Sequence, residues 1–244
     1  MIDFPFFKRK GSSGLPQLRV DIHSHLIPSI DDGAKNMAES LNLLRALEAV
    51  GYQKVITTPH IMIDTYCNTT KIIMAGLEAL QQCAQDANIN VKIEAAAEYY
   101  VDEGFLAHLH SNEVLTIAGE YILFETSYIA KPLQFDEIVS EILSAGYKPI
   151  LAHPERYRYI DNLEAEYCAL KDKGVFFQVN LNSFGGHYGK AAKKKVEFLN
   201  KKGMIDFLGS DTHHIKQVET LAKIQKKRVY ESIFNNNKIL NNKL

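Results

Sequence analysis

Short apolar runs alternate with helical patterns along most of this 244-residue chain. Seven runs have the length and composition of buried strands, at residues 20–22, 55–57, 91–97, 121–124, 149–152, 175–179 and 205–208. Apolar residues recur at helical spacing in residues 36–50, 71–88, 135–145, 163–173, 191–202 and 217–234. Because strands that alternate with helices pair in parallel, the pattern predicts a series of βαβ units.

Seven such units in one domain predict an α/β fold, a TIM-like barrel that lacks the eighth repeat of the (β/α)8 type. An open, doubly wound sheet is the alternative. Residues 99–119 are predicted to form a loop with one or two helical turns. We predict a leader at residues 1–18, a single domain at 19–235 and a polar tail at 236–244. The leader contains FPFFKRK and fits either a surface anchor or a segment that packs on the body.

The composition argues against several classes of function. Lysine and arginine total 28 and aspartate and glutamate 29, a net charge of −1 that argues against a nucleic-acid partner. No apolar run approaches the roughly 20 residues of a transmembrane helix, and the N-terminus does not resemble a secretory signal. The three cysteines form no CxxC pair, and none has an arginine six positions later, so the thiolate loop of cysteine-dependent phosphatases is absent. A reduced, cytoplasmic protein is therefore predicted.

Residues that can bind a metal follow six of the seven predicted strands, the sixth strand being the exception. They are His23 and His25 after the first strand, His60 after the second, Glu98 after the third, Glu125 after the fourth, His153 after the fifth, and Asp211 and His213 after the seventh. Because the carboxyl ends of parallel strands lie on one face of a barrel, these side chains should meet in one cleft. Imidazoles and carboxylates gathered in this way predict a shared metal cluster.

The spacing within the motifs supports a metal site. An HxH motif at a strand end places both side chains on the same side of the pleat, and the same holds for Asp211 and His213. Asp31 and Asp32, in the loop after the first strand, offer one further oxygen ligand. Nitrogen and oxygen ligands without cysteine favour manganese, iron or zinc over calcium or magnesium.

The remaining histidines give a weaker signal. His108 and His110 form a second HxH motif, but no strand precedes them, so we predict a surface or helix-capping role. His214 is predicted to lie behind the ligands or at the surface. The sequence leaves the role of His187, in a glycine-rich loop, open.

The motifs occur together in an order and at a spacing that resemble the PHP (polymerase and histidinol phosphatase) superfamily. They are DIHSH, DDG, TPH, AAEYY, FETS, HPER and SDTH. More narrowly, DIHSHLIPSIDDGAKN and AHPERY resemble the bacterial metal-dependent protein-tyrosine phosphatases of capsular and exopolysaccharide operons. The resemblance covers about residues 19–235. It implies a distorted (β/α)7 barrel with three metal ions at the strand ends, most often manganese, with iron, zinc and magnesium as alternatives.

The resemblance also implies roles for individual residues. The implied ligand sets are His23, His25 and Asp211 with a bridging Glu98; Glu98, Glu125 and His153; and Asp32, His60 and His213. Catalytic roles are implied for Arg156, Asp32 and His60, and Arg156 matches an arginine that contacts the substrate phosphate. Relatives often carry a further arginine shortly after the SDxH motif. Here Lys216 is the nearest cation, which makes it the second candidate for substrate binding.

The implied activity is that of a phosphoric monoester hydrolase that acts on phosphotyrosine through a metal-activated water, in the regulation of capsular or exopolysaccharide synthesis. The implied partner is a phosphotyrosine protein, such as the tyrosine-rich tail of a polysaccharide-synthesis kinase, which would bring the enzyme to the inner membrane. A small-molecule phosphoesterase such as histidinol-phosphate phosphatase is the alternative within enzymes. A non-catalytic, metal-binding scaffold is the alternative outside them.

Overall fold

The computed structural model describes residues 17–111 and 113–244, so most of the predicted leader lies outside the described residues. The strands are β1 Val20–Asp21, β2 Lys54–Thr57, β3 His60–Ile61, β4 Lys92–Ala95, β5 Glu98–Tyr100, β6 Tyr121–Glu125, β7 Lys148–Ala152, β8 Phe176–Asn180 and β9 Phe207–Gly209. The helices are α1 Met37–Ala49, α2 Thr70–Asp86, α3 Phe105–Leu109, α4 Phe135–Ser144, α5 Leu163–Asp172, α6 Gly189–Lys202, α7 Ile215–Ile224 and α8 Arg228–Asn236. Within the described ranges, no helix combines the length and apolar character needed to cross a bilayer.

The strands pair in parallel and curl into one wall. One sheet has the order β1-β2-β4, and the other has the order β3-β5-β6-β7-β8-β9. β3 continues β2 and β5 continues β4, each after two residues, and the hydrogen bonds from Ala96 N to Thr57 O (2.9 Å) and from Glu98 N to Pro59 O (3.1 Å) connect the two pieces. Since proline has no N–H to donate, Pro59 interrupts the ladder at this point. The predicted strand at 91–97 was therefore too long, and Glu98 begins a new strand.

The curled sheet closes where β9 meets β1. Asp211 N donates to His23 O at 2.8 Å, and His25 N donates to Thr212 O at 3.0 Å. A parallel bridge joins Ser24 to Thr212 between these bonds. The contact involves the residues that follow the two strands rather than a full ladder, which distorts the ring. The predicted distorted (β/α)7 barrel is confirmed, and the open, doubly wound sheet is excluded.

The alternation of side chains along each strand directs polar groups into the barrel. In β6, Ile122 and Phe124 belong to the large core between the sheet and the helices. Tyr121 and Leu123 belong to a smaller inner cluster formed mainly by strand residues. Glu125 lies two residues after Leu123, so its side chain faces the same interior. The apolar inner cluster therefore forms the floor beneath the polar residues at the strand ends.

The helix predicted at residues 217–234 is two helices, α7 and α8, with a break at residues 225–227. Leu221 and Tyr230 are both buried. In one continuous helix these two side chains would point about 180° apart, since each residue turns the helix by about 100°. The break allows both to face the core, and it places the Tyr230 hydroxyl 3.2 Å from the backbone nitrogen of Leu18, which donates to it.

The C-terminal residues fill the gap between β1 and β9 at the other end of the barrel. Asn241 is fully buried. Its Nδ2 donates to Val20 O (2.9 Å) and Leu208 O (2.7 Å), and its Oδ1 accepts from Leu208 N (2.9 Å). Part of the predicted polar tail at 236–244 thus substitutes for missing strand pairing. The predicted domain bounds stay a prediction.

Replacing this asparagine should destabilise the fold. Asn241→Ala removes three hydrogen bonds and leaves buried backbone groups of two strands unpaired. We expect the free energy of unfolding to fall by about 3 kcal/mol, measured by denaturant unfolding. The exposed Asn235 is the matched control, and Asn235→Ala should change it by about 0.5 kcal/mol or less. Equal effects of the two substitutions would contradict the role assigned to Asn241.

Candidate metal centre

All nine side chains predicted as metal ligands meet at the carboxyl ends of the strands. Their ligand atoms form four overlapping groups in which all atoms lie within 4.8 Å of one another. The groups are His23, His25 and Asp211; His23, Glu98 and His153; His60, Glu98 and Glu125; and His25, Asp32, His60 and His213. The candidate ligands come from residues almost two hundred positions apart, and the parallel barrel brings them together.

Burial within this cluster decreases from the barrel interior to the opening. His23, His25 and Glu98 are completely buried. The side chains of His60 and His213 are 11% and 14% exposed, and that of Asp32 is 52% exposed. The cluster opens into a cavity of about 610 Å³. Asp32, His60 and His213 are therefore the candidate ligands nearest to solvent.

The Glu98 carboxylate lies at the middle of the cluster. Its Oε2 is 3.0 Å from His23 Nε2, 3.4 Å from His25 Nε2 and 3.3 Å from His60 Nδ1. Its Oε1 is 2.9 Å from His153 Nε2. Burial acts to raise the pKa of Glu98, but the His23 and His60 imidazoles hold it well below its usual value. Glu98 is therefore ionised and can link more than one positive centre.

The two imidazoles of the DIHSH motif are held from behind. His23 Nδ1 is 2.7 Å from Gln178 Oε1, and His25 Nδ1 is 2.8 Å from Asp31 Oδ2, so each Nδ1–H can donate there. Both Nε2 atoms then face the cluster as lone pairs, and they lie only 3.3 Å apart. Burial acts to lower the pKa of His23, but Glu98 and Asp211 raise it to about 9. A divalent cation between these groups would replace the protons that the carboxylates otherwise hold on the rings.

Asp211 uses its two oxygens for different tasks. Oδ2 accepts hydrogen bonds from Arg156 Nη1 (3.0 Å), Asn180 Nδ2 (2.6 Å) and Tyr188 OH (2.9 Å). Oδ1 faces His23 Nε2 at 3.5 Å. Burial acts to raise the pKa of Asp211, but the charged groups around it, His23 first, hold it below its usual range. Oδ1 is therefore directed at the cluster as a ligand atom.

Two of these residues have unusual backbone conformations. His153 has φ 35°, and Asp211 has φ 49°, values that non-glycine residues rarely adopt. His153 is the first residue after β7, and Asp211 is the second residue after β9. The chain must turn sharply there to bring the side chain back over the barrel interior. Such strain is typical of functional sites, where surrounding contacts hold it in place.

The structure separates Asp31 and Asp32, which the spacing alone left as alternatives and of which the family resemblance implied Asp32. Asp31 lies behind His25, and its Oδ1 accepts from Gly33 N at 2.9 Å. Asp32 Oδ1 faces the cluster, 3.2 Å from His213 Nε2 and 3.5 Å from His60 Nε2. The hydrogen bond from His213 is the main reason why the pKa of Asp32 is lowered to about 2. The oxygen directed at the cluster is therefore that of Asp32.

The other residues singled out by the sequence are placed as follows. Arg156 and Lys216 both line the cavity, Lys216 as an exposed residue at the start of α7. His187 and His214 also line it and are both exposed. His110 lies at the surface, 3.1 Å from Glu141, and neither it nor His108 lines this cavity. The second HxH motif is thus separate from the cluster.

The residues that orient the ligands lie outside the motifs recognised in the sequence. β8, the strand without a ligand, supplies Gln178 behind His23 and Asn180 beside Asp211. The signal was present, since FFQVN places two polar residues two positions apart in an apolar strand, the spacing of the HxH motif. Gln217 donates to the backbone oxygen of Asp211 at 2.8 Å and accepts from His213 N at 2.8 Å. No local pattern identified Gln217.

The residues present fit divalent metal ions. The donors are imidazole nitrogens and carboxylate oxygens, the set that manganese, iron and zinc share. Among the described residues, His153 Nδ1 is buried without a hydrogen-bond partner, and the buried His60 Nδ1 lies 3.1 Å from Glu125 and 3.3 Å from Glu98 but makes no well-oriented hydrogen bond to either. Buried carboxylates and imidazoles lie in contact here, and a divalent cation can take over the charge compensation that protons on the imidazoles would otherwise provide. The cluster is therefore a metal site in its chemistry.

Comparison with known proteins identifies the family. A family model described as Capsular polysaccharide synthesis, CpsB/CapC, matches residues 19–239. The chain belongs to this CpsB/CapC family. The resemblance noted in the sequence is thus confirmed, and the family assignment covers all the residues of the cluster.

Relatives in this family are named as phosphatases. The tyrosine-protein phosphatase YwqE of Bacillus subtilis (strain 168) is 28% identical over 198 residues, which cover 81% of this chain and 78% of the relative. The tyrosine-protein phosphatase CpsB of Streptococcus pneumoniae is 28% identical over 202 residues, which cover 80% of this chain and 83% of the relative. A crystal structure from work on YwqE and CpsB, described as unique metal-dependent tyrosine phosphatases, matches with a TM-score of 0.79 at 27% identity. The match covers 88% of this chain and 90% of the solved chain.

Metal binding should stabilise the protein through the first HxH motif and not through the second. With manganese at about 100 times its Kd, we expect the Tm to rise by about 5–10 °C, because the ion binds only the folded state. The His23→Ala/His25→Ala variant should lose most of this rise. The His108→Ala/His110→Ala variant is the control and should keep it. Thermal unfolding with and without manganese measures both, and equal responses would contradict the assignment of the site.

The residue behind His23 should tune the affinity for metal. Gln178→Met keeps the size of the side chain but removes the acceptor for His23 Nδ1–H, so the ring loses its fixed orientation. We expect manganese affinity to fall by about 10- to 100-fold, measured by titration of the metal-free protein. Gln53→Met, at an exposed glutamine, should leave the affinity unchanged. Unchanged affinity in Gln178→Met would show that this contact does not orient a ligand.

Proposed function

We propose that this chain is a metal-dependent protein-tyrosine phosphatase, a phosphoric monoester hydrolase. The observation that carries the proposal is the cluster of nine candidate ligands with the Arg156 guanidinium beside it, joined to Asp211 at 3.0 Å. Cations and a fixed guanidinium in one open cavity suit a substrate with a doubly charged phosphate group. The names of the CpsB/CapC relatives support the same activity.

We propose three metal positions in the cluster, with manganese as the preferred ion. The first would lie among His23, His25 and Asp211, with Glu98 shared with the second. Glu125 and His153 would complete the second position, and Asp32, His60 and His213 would hold the third. Two residues connect these positions. His60, of the third position, also approaches Glu98 and Glu125 of the second, and His25, of the first, also approaches the ligands of the third. The nitrogen and oxygen donor set supports manganese, iron or zinc.

Divalent ions in this site would activate water for attack on phosphorus and would offset the negative charge of the phosphate. The chain itself contributes Arg156, whose Nη1 is used by Asp211, while its other N–H groups can bind phosphate oxygens. Its guanidinium lies between the rings of Tyr128 and Tyr188, 4.5 Å from each centroid. Clamped in this way, Arg156 meets the phosphate without first having to be ordered.

We assign the opening of the site to substrate entry. Asp32 and His60, expected to be catalytic, stand there with His213, and the metal position that they would hold is the one on the solvent side, where the phosphate would enter. Lys216, on the rim, would add a point charge where the family resemblance often implies a further arginine. A phenolate, with a pKa of about 10, also needs less help from an acid to leave than an alkoxide would.

A thiol mechanism has no support in the site. Cys67 is exposed, Cys83 and Cys168 are partly buried, and none of the three lines the cavity. The nucleophile is therefore assigned to water and not to a cysteine. Alkylation of the thiols should leave the activity unchanged.

The substrate that we propose is a phosphotyrosine on a flexible segment of a protein, because the candidate site is open to solvent. A tyrosine-rich tail of a polysaccharide-synthesis kinase fits this description, and the family description refers to capsular polysaccharide synthesis. Such a substrate would place the enzyme in the cytoplasm, at the inner membrane while it acts. A small-molecule phosphatase, such as one for histidinol phosphate, is the rival within enzymes, and a metal-binding scaffold is the rival outside them.

Chelation tests the proposal directly. Hydrolysis of a phosphotyrosine peptide should be abolished by EDTA, restored by manganese and unaffected by thiol alkylation, since the candidate site contains ligands and no cysteine. Histidinol phosphate, assayed in parallel, should be hydrolysed far more slowly. Release of phosphate measures both reactions.

Three results would overturn the proposal in different ways. Activity that survives EDTA would exclude the metal mechanism. Faster turnover of histidinol phosphate would favour the small-molecule phosphatase. A protein that binds manganese but hydrolyses no phosphate ester would favour the scaffold.

A further inference from the structure

A second cavity lies beside the metal centre and shares a wall with it. Its volume is about 650 Å³, and Tyr128, Arg156 and Tyr188 line both cavities. Its other lining residues include Arg158, Lys190, Lys195, Asp161 and Ile129. We call this second cavity the basic pocket. None of the nine candidate metal ligands lines it.

Of the six charged side chains that line the basic pocket, four are cationic. Arg158 and Lys190 are exposed, and no ion pair within the described parts of the chain involves either of them. Asp161 is the exposed carboxylate of the lining. Glu155 is buried, and its Oε1 accepts from Asn180 N (2.9 Å) and Ser183 Oγ (2.6 Å). The accessible charge of the pocket is therefore positive.

The start of α6 adds to this positive field. Gly189, Lys190, Ala191 and Ala192, the first residues of the helix, all line the pocket. The helix has no side-chain cap at its N-terminus and no acidic residue in its first turn. The N-terminus of a helix carries a partial positive charge and N–H groups without intrahelical partners. The cationic side chains and the N-terminus of α6 thus both make the electrostatic potential in the pocket more positive.

We propose that the basic pocket binds an anionic side chain of the same polypeptide whose phosphotyrosine occupies the metal centre. The inference rests on the proposed phosphatase function and specifies its substrate as an acidic or multiply phosphorylated segment. Because Tyr128, Arg156 and Tyr188 line both cavities, the two adjoin, and a chain leaving the metal centre can pass over these residues into the pocket. The anion is a carboxylate or a second phosphate group.

The distance that the chain can cover limits the position of this anion. An extended peptide rises about 3.3 Å per residue. Crossing one arginine flanked by two tyrosines therefore places the anion about two to four residues from the phosphotyrosine. Ile129 lines the same pocket with 74% of its surface exposed, which gives the intervening residues an apolar contact. The pocket would select substrates and take no part in bond cleavage.

The test compares phosphotyrosine peptides that differ only in their flanking charge. The first peptide carries glutamate three residues before and three residues after the phosphotyrosine. The second peptide carries glutamine at the same two positions, and the third carries a second phosphotyrosine there. The kcat/KM of each is measured with manganese-loaded protein. Binding of non-hydrolysable phosphonate versions is measured separately by fluorescence anisotropy, which does not depend on turnover.

The pocket variant is Arg158→Glu/Lys190→Glu, and the matched control is Lys194→Glu/Lys201→Glu. All four residues are exposed, both variants change the net charge equally, and the control residues line neither cavity. The wild type should favour the glutamate or doubly phosphorylated peptide over the glutamine peptide by about tenfold, because each exposed charge pair contributes a small factor. The pocket variant should lose this preference, and the control should keep it. High salt should also reduce the preference.

The outcomes separate this inference from the proposed function. A preference only for the second phosphotyrosine identifies phosphate as the anion, and a preference for glutamate identifies carboxylate. Equal binding and turnover of all three peptides by the wild type would contradict anion binding by the pocket. An equal loss of preference in both variants would contradict it too. Absence of turnover for every peptide would overturn the phosphatase proposal, while the anisotropy data would still decide whether the pocket binds anions.

Discussion

Charge compensation around Glu98 is the constraint on which the site depends. A carboxylate that is completely buried is unfavourable unless it is paired, and Glu98 has imidazole nitrogens within 3.4 Å on both oxygens. Those imidazoles come from different strand ends, so the pairing requires the whole barrel to be closed. Closure in turn depends on hydrogen bonds between the residues that follow β1 and β9. Fold and site therefore depend on each other, because the groups that a metal ion would join come together only when the barrel closes.

The ligands are held by a layer of residues that do not face the cluster. Gln178 and Asp31 fix the rings of His23 and His25, and Asn180 and Tyr188 occupy the far oxygen of Asp211. These contacts leave the Nε2 atoms of the two histidines and Oδ1 of Asp211 directed at the cluster. Ordered donors of this kind reduce the reorganisation that metal binding would require. The arrangement explains why β8, the strand that supplies no ligand, is still part of the site.

Arg156 connects the metal centre to the surface beyond it. It is bound to Asp211 on one side and lies between Tyr128 and Tyr188, and Tyr128 also donates to Glu125 Oε2 at 3.2 Å. The same three residues form the wall shared with the basic pocket. The stack of Tyr128, Arg156 and Tyr188 thus supports a candidate ligand and presents a donor to phosphate. It also forms the boundary between the metal centre and the basic pocket. Arg156 can make all these contacts because the HPER motif begins right after β7 and so lies at the rim of the barrel.

The sequence by itself determined the βα alternation, the barrel and the eight candidate ligands at the strand ends, because parallel strands all end on one face whatever their order around the ring. The spacing of its residues did not decide between Asp31 and Asp32, of which the family resemblance implied Asp32, and nothing in it indicated the break between α7 and α8 or the place of Asn241 between β1 and β9. Periodicity describes only neighbours along the chain. Which carboxylate faces the cluster depends on a turn around Gly33, where a Cβ would lie 2.3 Å from His25 O. The pairing of Gln178 with His23 joins residues 155 positions apart, and such contacts exist only once the strands are packed, so only the tertiary structure decided them.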